Sequence, residues 1–285
     1  MEPPAQPRDA SCPQLGVALQ VALDNVSARE QWFDRHHSVF PWCYLLAIGG
    51  AETLTSAVSV HAGLALHCFI LMLLPIHAVI ARGRPYQPLL QCLVLAPLIR
   101  IMSLTLPLIG FPLLDWYLLV SIPIFVASWM VANLLGYSRR DVGLVWRGGG
   151  MQLAILLCGP LLGWIEWHIL PVQGLAAAAT LPSLLPPTLI LFFCTGLMEE
   201  IVFRGVMQRA AFGVFADDGI LYLALLFALL HTGYRSLEDS VFVFLVGVLF
   251  AIIARRSGSI LGITGCHGLA NVNLYVVLPL LFPNT

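Results

Sequence analysis

The chain has 285 residues, of which 59% are hydrophobic and only 10% are charged, and its mean hydropathy is +0.88. Soluble domains average about 45–50% apolar and about 25% charged residues, so this composition excludes a soluble domain, a disordered chain and a secreted disulfide scaffold. The 14 basic residues are all arginines and nearly balance 15 acidic ones, which leaves no basic surface for nucleic acid. We therefore expect an all-α, polytopic membrane protein whose partner is the lipid bilayer.

The predicted elements follow from the apolar runs. Residues 1–38 are polar enough to form a cytoplasmic N-terminal arm, and they lack the pattern of a cleaved signal peptide. A membrane-spanning helix needs about 20 apolar residues. Runs of that kind predict nine spans, with eight as the alternative, over 40–58, 60–81, 87–108, 112–134, 149–170, 183–210, 219–234, 239–254 and 258–280. The polar segment 136–150 separates N-terminal helices at 39–148 from a C-terminal part at 149–285.

The arginines predict the orientation of these spans. Twelve of them lie on one side of the membrane if the N-terminus is inside: Arg8, Arg29, Arg35, Arg82, Arg84, Arg139, Arg140, Arg147, Arg204, Arg209, Arg255 and Arg256. Arg235 lies opposite, and Arg100 lies within a span. Because cytoplasmic loops carry an excess of arginine, we expect a cytoplasmic N-terminus in the inner (plasma) membrane of a bacterial cell.

Ionisable residues within apolar spans are costly and therefore indicate function unless a structural role explains them. A first group lies near predicted span ends, where headgroups tolerate charge: His61, Asp115, Glu166 and His168. Two histidines are expected to be hydrogen-bonded in the core, and one ion pair between helices is considered: His67, His77, and Glu52 with Arg100.

Three polar motifs in the C-terminal third need another explanation. They are EEIVFR (199–204), FALLH (227–231) and HGLAN (267–271), each on its own apolar helix. Glu200 and Arg204 are spaced i, i+4 with the acid first, which favours an ion pair within a helix. Glu199 lies about 100° around the helix from Glu200 and is free to face another partner. His267 precedes its asparagine by four residues, so both side chains share one face.

The three motifs are predicted to lie at one depth in the membrane. At 1.5 Å per residue, Glu199, His231 and His267 lie about 15, 18 and 15 Å from the cytoplasmic ends of their helices. Unrelated polar contacts between helices would not need a shared depth. We therefore predict a single site near the middle of the bilayer.

With these motifs, residues 183–280 closely resemble the CPBP family of CAAX proteases and bacteriocin-processing enzymes, also called the Abi family of glutamic-type intramembrane proteases. The family pattern EExxxR, FxxxH and HxxxN is matched in order at 199–204, 227–231 and 267–271. The resemblance implies an endopeptidase that cuts the C-terminal or membrane-proximal segment of a membrane protein or peptide substrate.

Peptide hydrolysis needs an activated water and a stabilised oxyanion. The residue types, in agreement with the resemblance, suggest Glu199 as the general base and His231 as a second group holding the water. The oxyanion would be stabilised by His267 and Asn271. The supporting residues are Glu200, Arg204 and Phe227.

Three alternatives stay open at this point. No cofactor is favoured, but zinc bound by Glu199, His231 and His267 is the metal alternative, against which stands the lack of an HExxH motif. A non-catalytic membrane scaffold or bacteriocin-immunity factor of the same fold is the alternative function. The oligomeric state is open.

Overall fold

The computed structural model describes residues 38–170, 172–234 and 236–283. These ranges are helical and contain no strand, which confirms the predicted all-α fold class. Of the predicted cytoplasmic arm, all but Ser38 lies outside the described residues, as does Arg235. The helices are α1 (Val39–Ala57), α2 (Val60–Ile80), α3 (Gln87–Leu108), α4 (Leu113–Leu134), α5 (Gly149–Trp167), α6 (181–215), α7 (Gly219–His231), α8 (Leu237–Ser257) and α9 (Leu261–Leu281).

Seven helical stretches in the described chain are long and apolar enough to cross a membrane. One of them, the 51-residue stretch Leu181–His231, contains both α6 and α7. Its direction changes at Ala216, which has φ 49°, and the rings of Phe215 and Tyr222 stack at 4.8 Å beside this turn. If α6 and α7 are counted separately and α1 is added, the described residues form nine helices. This number agrees approximately with the eight or nine predicted spans. The protein is a multi-pass membrane protein.

The distribution of apolar side chains fits this conclusion. Large side chains in the interior are fully buried, as Ile48 and Leu226 are. Others point outward from the bundle, and Met72, Trp129 and Leu245 are 68%, 68% and 59% exposed. Helices that are apolar on both their inner and outer surfaces are typical of a membrane span.

Several predicted span boundaries differ from the structure by up to five residues. The sixth span was expected at 183–210 but runs to Phe215, because the first residue unsuited to a helix is Ala216 with its positive φ. The seventh was expected to reach residue 234. It ends at His231, and a single 3-10 turn, Thr232–Tyr234, follows.

Close helix contacts bring the polar motifs of α6 and α9 together. A Cβ atom added at Gly163 of α5 would lie 2.3 Å from the carbonyl oxygen of Ala270 in α9. One added at Gly196 of α6 would lie 2.8 Å from the Cα of Gly268. Glycines at such positions let helix backbones approach closely in membranes. These contacts hold the HGLAN segment of α9 against the middle of α6.

Helix α6 departs from α-helical geometry on both sides of its paired glutamates. Leu191–Leu197 and Ile201–Met207 are π-helical, and they flank the short α-helical segment Met198–Glu200. In α9, Asn273–Val277 is π-helical as well. Such i→i+5 turns are rare and occur frequently at functional sites.

One end of the bundle carries an arginine-rich face, which comprises the loop 138–148 together with Arg209 and Arg255. The Arg209 guanidinium pairs with Asp141 at 2.9 Å, and the amide of Ile260 donates to the carbonyl of Gly143 at 3.0 Å. Hydrogen bonds from Ser138 hold the pKa of Asp141 below its usual value, and Arg209 adds to this effect. The loop is thus fixed to the ends of α6 and α8.

Candidate active site

The three motifs converge on one cavity. Its volume is about 80 Å³, and its lining includes Glu199 from α6, Phe227 and His231 from α7, and His267 and Asn271 from α9. The structure therefore brings together every residue for which a direct role in hydrolysis was predicted. Their chemical roles remain predictions.

Glu199 faces both histidines across this cavity. Its Oε2 atom lies 3.9 Å from His231 Nε2 and 3.8 Å from His267 Nε2. The same oxygen is buried and has no hydrogen-bond partner among the described residues. Both separations exceed the length of a direct hydrogen bond and suit a contact bridged by one water-sized group.

Hydrogen bonds on the far side of each ring fix the orientation of the histidines. The Nδ1 atom of His231 lies 2.8 Å from the carbonyl oxygen of Phe227, and that of His267 lies 2.8 Å from Glu200 Oε1. A carbonyl and a carboxylate only accept, so each Nδ1 carries the hydrogen. In a neutral ring, Nε2 is then a free acceptor directed at Glu199.

The predicted ion pair of α6 is present. The Arg204 Nη1 atom donates to Glu200 Oε1 at 3.0 Å, and both side chains are buried. The guanidinium carbon also lies 4.4 Å from the centroid of the Phe227 ring, a cation–π contact. Because Glu200 bonds to both Arg204 and His267, it connects the ion pair to the cavity.

Thr195 belongs to this arrangement but was not among the predicted residues. The amide nitrogen of Asn271 donates to the Thr195 hydroxyl at 2.8 Å, and that hydroxyl donates to the carbonyl of Leu191. This chain of contacts fixes the Asn271 side chain and leaves its second N–H free of a described partner. A threonine within an apolar helix gives no sequence signal on its own.

Glu166 was expected near a span end, and it lies one residue before the end of α5. It also lines the candidate cavity, because close packing of α5 on α9 at Gly163 brings this end of the helix beside the site. Its carboxyl group interacts electrostatically with Glu199 and His267. Asp239 at the start of α8 was overlooked altogether, although it is fully buried. A charged residue in an apolar run was the available signal in both cases.

A metal held by the same residues was the alternative drawn from the sequence. No group of three His, Cys, Asp or Glu side chains in the described ranges is arranged to hold a metal ion. The zinc set of Glu199, His231 and His267 is thus not such a group in this arrangement, and metal-free catalysis stays a prediction.

A carboxylate and two histidines thus surround one internal cavity of an apolar helical bundle. Residues 181–273 match the family model "Type II CAAX prenyl endopeptidase Rce1-like". This match confirms the resemblance inferred from the three motifs.

Similarity to other proteins is limited. An "Uncharacterized 24.3 kDa protein" of Escherichia coli is 30% identical over 132 residues, which make up 43% of this chain and 58% of that protein. The chain thus spans little more than half the length of this relative. No solved structure matches the chain.

Proposed function

We propose that the protein is an intramembrane endopeptidase in which Glu199 activates a water molecule to hydrolyse a peptide bond. The observation that carries this proposal is the unpartnered, buried Oε2 atom of Glu199, which faces His231 Nε2 and His267 Nε2 at 3.9 and 3.8 Å. A buried carboxylate oxygen without a partner is costly, and such a cost is expected at a catalytic position.

The geometry supports the following first step. The water donates one hydrogen to Glu199 Oε2 and the other to His231 Nε2, whose ring is oriented by the Phe227 carbonyl. As the water oxygen attacks the substrate carbonyl carbon, Glu199 takes the proton and the carbonyl oxygen becomes an oxyanion. General base catalysis of this kind contributes about 10²–10⁴-fold.

Two side chains can stabilise the oxyanion. Asn271 has an amide hydrogen beyond the one bonded to Thr195. His267 already uses Nδ1–H toward Glu200, so it donates through Nε2 only when its ring is doubly protonated. Glu199 then returns its proton to the leaving nitrogen, the C–N bond breaks, and a carboxyl group and an amine are released.

Glu200, Arg204 and Phe227 act on this chemistry through the groups they position. The Glu200 carboxylate orients His267, and Arg204 balances the charge of Glu200 in a buried region. The Phe227 ring packs on Arg204, while its backbone carbonyl orients His231. Each contributes by holding a reacting group in place.

The substrate we propose is the C-terminal or membrane-proximal segment of a membrane protein or peptide. The alternative function, a scaffold or bacteriocin-immunity factor, gives no reason for Glu199 to stay unpaired beside a cavity. A scaffold needs only polar contacts that hold its helices together, and the Glu200–Arg204 pair would be sufficient for that.

The test compares membrane proteomes for new C-termini. Cells that lack the protein are complemented with the wild type or with Glu199→Gln, which keeps the shape of the side chain but accepts no proton. We expect cleavage products with the wild type and none with the variant at equal expression. The same products with both chains would contradict the proposal and favour the scaffold.

A further inference from the structure

A second carboxyl group, that of Glu166, lines the candidate cavity from α5. Leu162, one turn earlier on the same face of α5, lines it as well. Between them, Gly163 packs so closely on α9 that an added Cβ atom would lie 2.3 Å from the carbonyl oxygen of Ala270. Ala270 directly precedes Asn271, the proposed oxyanion donor. The position of Glu166 beside the reacting groups is therefore set by the backbones of α5 and α9.

Glu166 has no evident structural role. Its side chain is half-buried, and its carboxyl group takes no part in the hydrogen bonds and ion pairs of the described residues. In this it differs from Glu200, whose charge is balanced by Arg204 at 3.0 Å. Since an ionisable residue within an apolar span is costly, Glu166 needs another explanation.

A third carboxyl group, that of Asp239, lies next to the cavity. Asp239 is fully buried, and neither of its oxygens has a hydrogen-bond partner among the described residues. It lies on the face of α8 that lines the cavity, because Val243 and Val246 follow it at i+4 and i+7 and belong to the lining. Its carboxyl group interacts electrostatically with Glu166 and His231. Two carboxyl groups that form no ion pair thus interact beside the site.

These neighbours decide which carboxyl group holds a proton. Glu166 interacts with the carboxyl groups of Asp239 and Glu199 and with the ring of His267. Nearby carboxylates and dry surroundings both disfavour a further negative charge. Two carboxyl groups in such a place share a proton between them. With Glu199 ionised as the base, a proton is therefore held by the Glu166–Asp239 pair, and opposite protonation states divide the acid role from the base role.

We propose that Glu166 is a further catalytic residue, which donates a proton to the leaving nitrogen. The proposal rests on the proposed function, because the proton that Glu199 returns to the leaving nitrogen passes through Glu166. The neutral Glu166 carboxyl group gives its proton to the nitrogen as the C–N bond breaks, and the electron pair of that bond goes to the nitrogen. Glu199, which carries the proton taken from the water, then protonates the Glu166 carboxylate. Both groups regain their starting state, and no net proton is used.

The test compares two scissile bonds in one peptide sequence. The first substrate is a synthetic copy of a segment that the wild type cleaves, and the second is its thioester analogue, in which sulfur replaces the scissile N–H. Both substrates need an activated water, whereas a thiolate leaves without a proton. The two cleavage rates are measured on one preparation of the purified protein in detergent. Their ratio therefore does not depend on the folded fraction.

We expect Glu166→Gln to lower peptide cleavage by about 10²-fold or more and to leave thioester cleavage within about twofold of the wild type. Glu199→Gln should lower the cleavage of both substrates, because both need the base. An equal loss for both substrates with Glu166→Gln, or no loss for either, would overturn the proposal. Unchanged cleavage by Glu199→Gln would instead contradict the proposed function, so the two failures are distinguishable.

Stability provides the second readout. Glutamine has the shape of a protonated glutamate and no charge, so Glu166→Gln should unfold at the temperature of the wild type. Failure of this variant to fold would mean that the ionised carboxylate is needed, and it would overturn the proposal. Asn273→Ala, which removes the hydrogen bond from α9 to the Pro160 carbonyl of α5, is the control for loosened packing. It should leave the ratio of the two rates unchanged, and a fall like that of Glu166→Gln would also overturn the proposal.

Discussion

Two clusters of buried charge lie in this bundle, and they differ in how completely they are paired. In the N-terminal cluster, Glu52 accepts hydrogen bonds from Arg100 on both oxygens and from His67 at 2.9 Å. The pair considered from the sequence is thus present. In the C-terminal cluster, Arg204 and His267 both bond to Glu200 Oε1, whereas Glu200 Oε2 and Glu199 Oε2 are buried oxygens without a described partner.

The difference separates a structural role from a chemical one. The N-terminal cluster joins α1, α2 and α3, and both oxygens of its carboxylate, Glu52, are bonded. In the C-terminal cluster, a buried oxygen without a hydrogen-bond partner costs free energy. Such an oxygen is available to interact with a substrate. Charge within the membrane is therefore a weaker guide to function than unpaired charge beside a cavity.

Replacing the unpaired carboxylate should have the largest effect on rate. We expect Glu199→Gln to lower cleavage by about 10²–10⁴-fold, because the base is lost. The temperature of thermal unfolding in detergent should stay near that of the wild type, since Glu199 stabilises no buried cation by direct contact. A large fall in the unfolding temperature would mean that Glu199 has a structural role after all.

Replacing the paired carboxylates should lower the free energy of unfolding. Glu200→Gln leaves the buried Arg204 without its partner charge, and losing half of a buried ion pair costs about 3–5 kcal/mol. Glu52→Gln leaves the partly exposed Arg100 unpaired and should cost less. Denaturation of the purified proteins measures this loss. Only Glu200→Gln should also slow cleavage in the fraction that stays folded, because it releases His267.

The exposed Glu238 provides the control for these two variants. Surface substitutions usually change stability by less than about 0.5 kcal/mol, and Glu238→Gln should do the same. If all three variants unfolded alike, the Glu52–Arg100 and Glu200–Arg204 pairs would not be the source of stability.

Removal of an oxyanion donor should have a smaller effect on rate. We expect Asn271→Ala to reduce kcat by about 10²–10³-fold, the usual effect of losing one such donor. Asn273, whose amide bonds to the Pro160 carbonyl at 2.7 Å, is the matched control. Asn273→Ala should leave kcat unchanged, and an equal loss in both variants would indicate disruption of α9.

Metal removal should have the smallest effect. Dialysis of the purified protein against a strong chelator should leave the cleavage rate unchanged, because the proposed steps use only side chains and water. Zinc added back serves as the control. Loss of activity on dialysis, with recovery on zinc addition, would replace the glutamate mechanism by metal-assisted hydrolysis.

The sequence predicted the helices and much of the site because apolar length and motif spacing are local properties. The Glu200–Arg204 pair follows from a separation of four residues. The positions of Thr195 and Glu166 depend on contacts between distant helices, such as that of Gly163 with Ala270, and no local pattern contains them. The π-helical turns escaped prediction because an analysis based on 3.6 residues per turn assumes regular i→i+4 bonding.

Those π-helical turns have a consequence for how the chain can change in length. A residue inserted into or deleted from a membrane helix normally rotates everything beyond it by about 100°. On either side of Met198–Glu200, a turn can absorb such a change by switching between i→i+4 and i→i+5 bonding. Each flanking segment of α6 can therefore lose a residue by returning to i→i+4 bonding, while the two glutamates keep their direction.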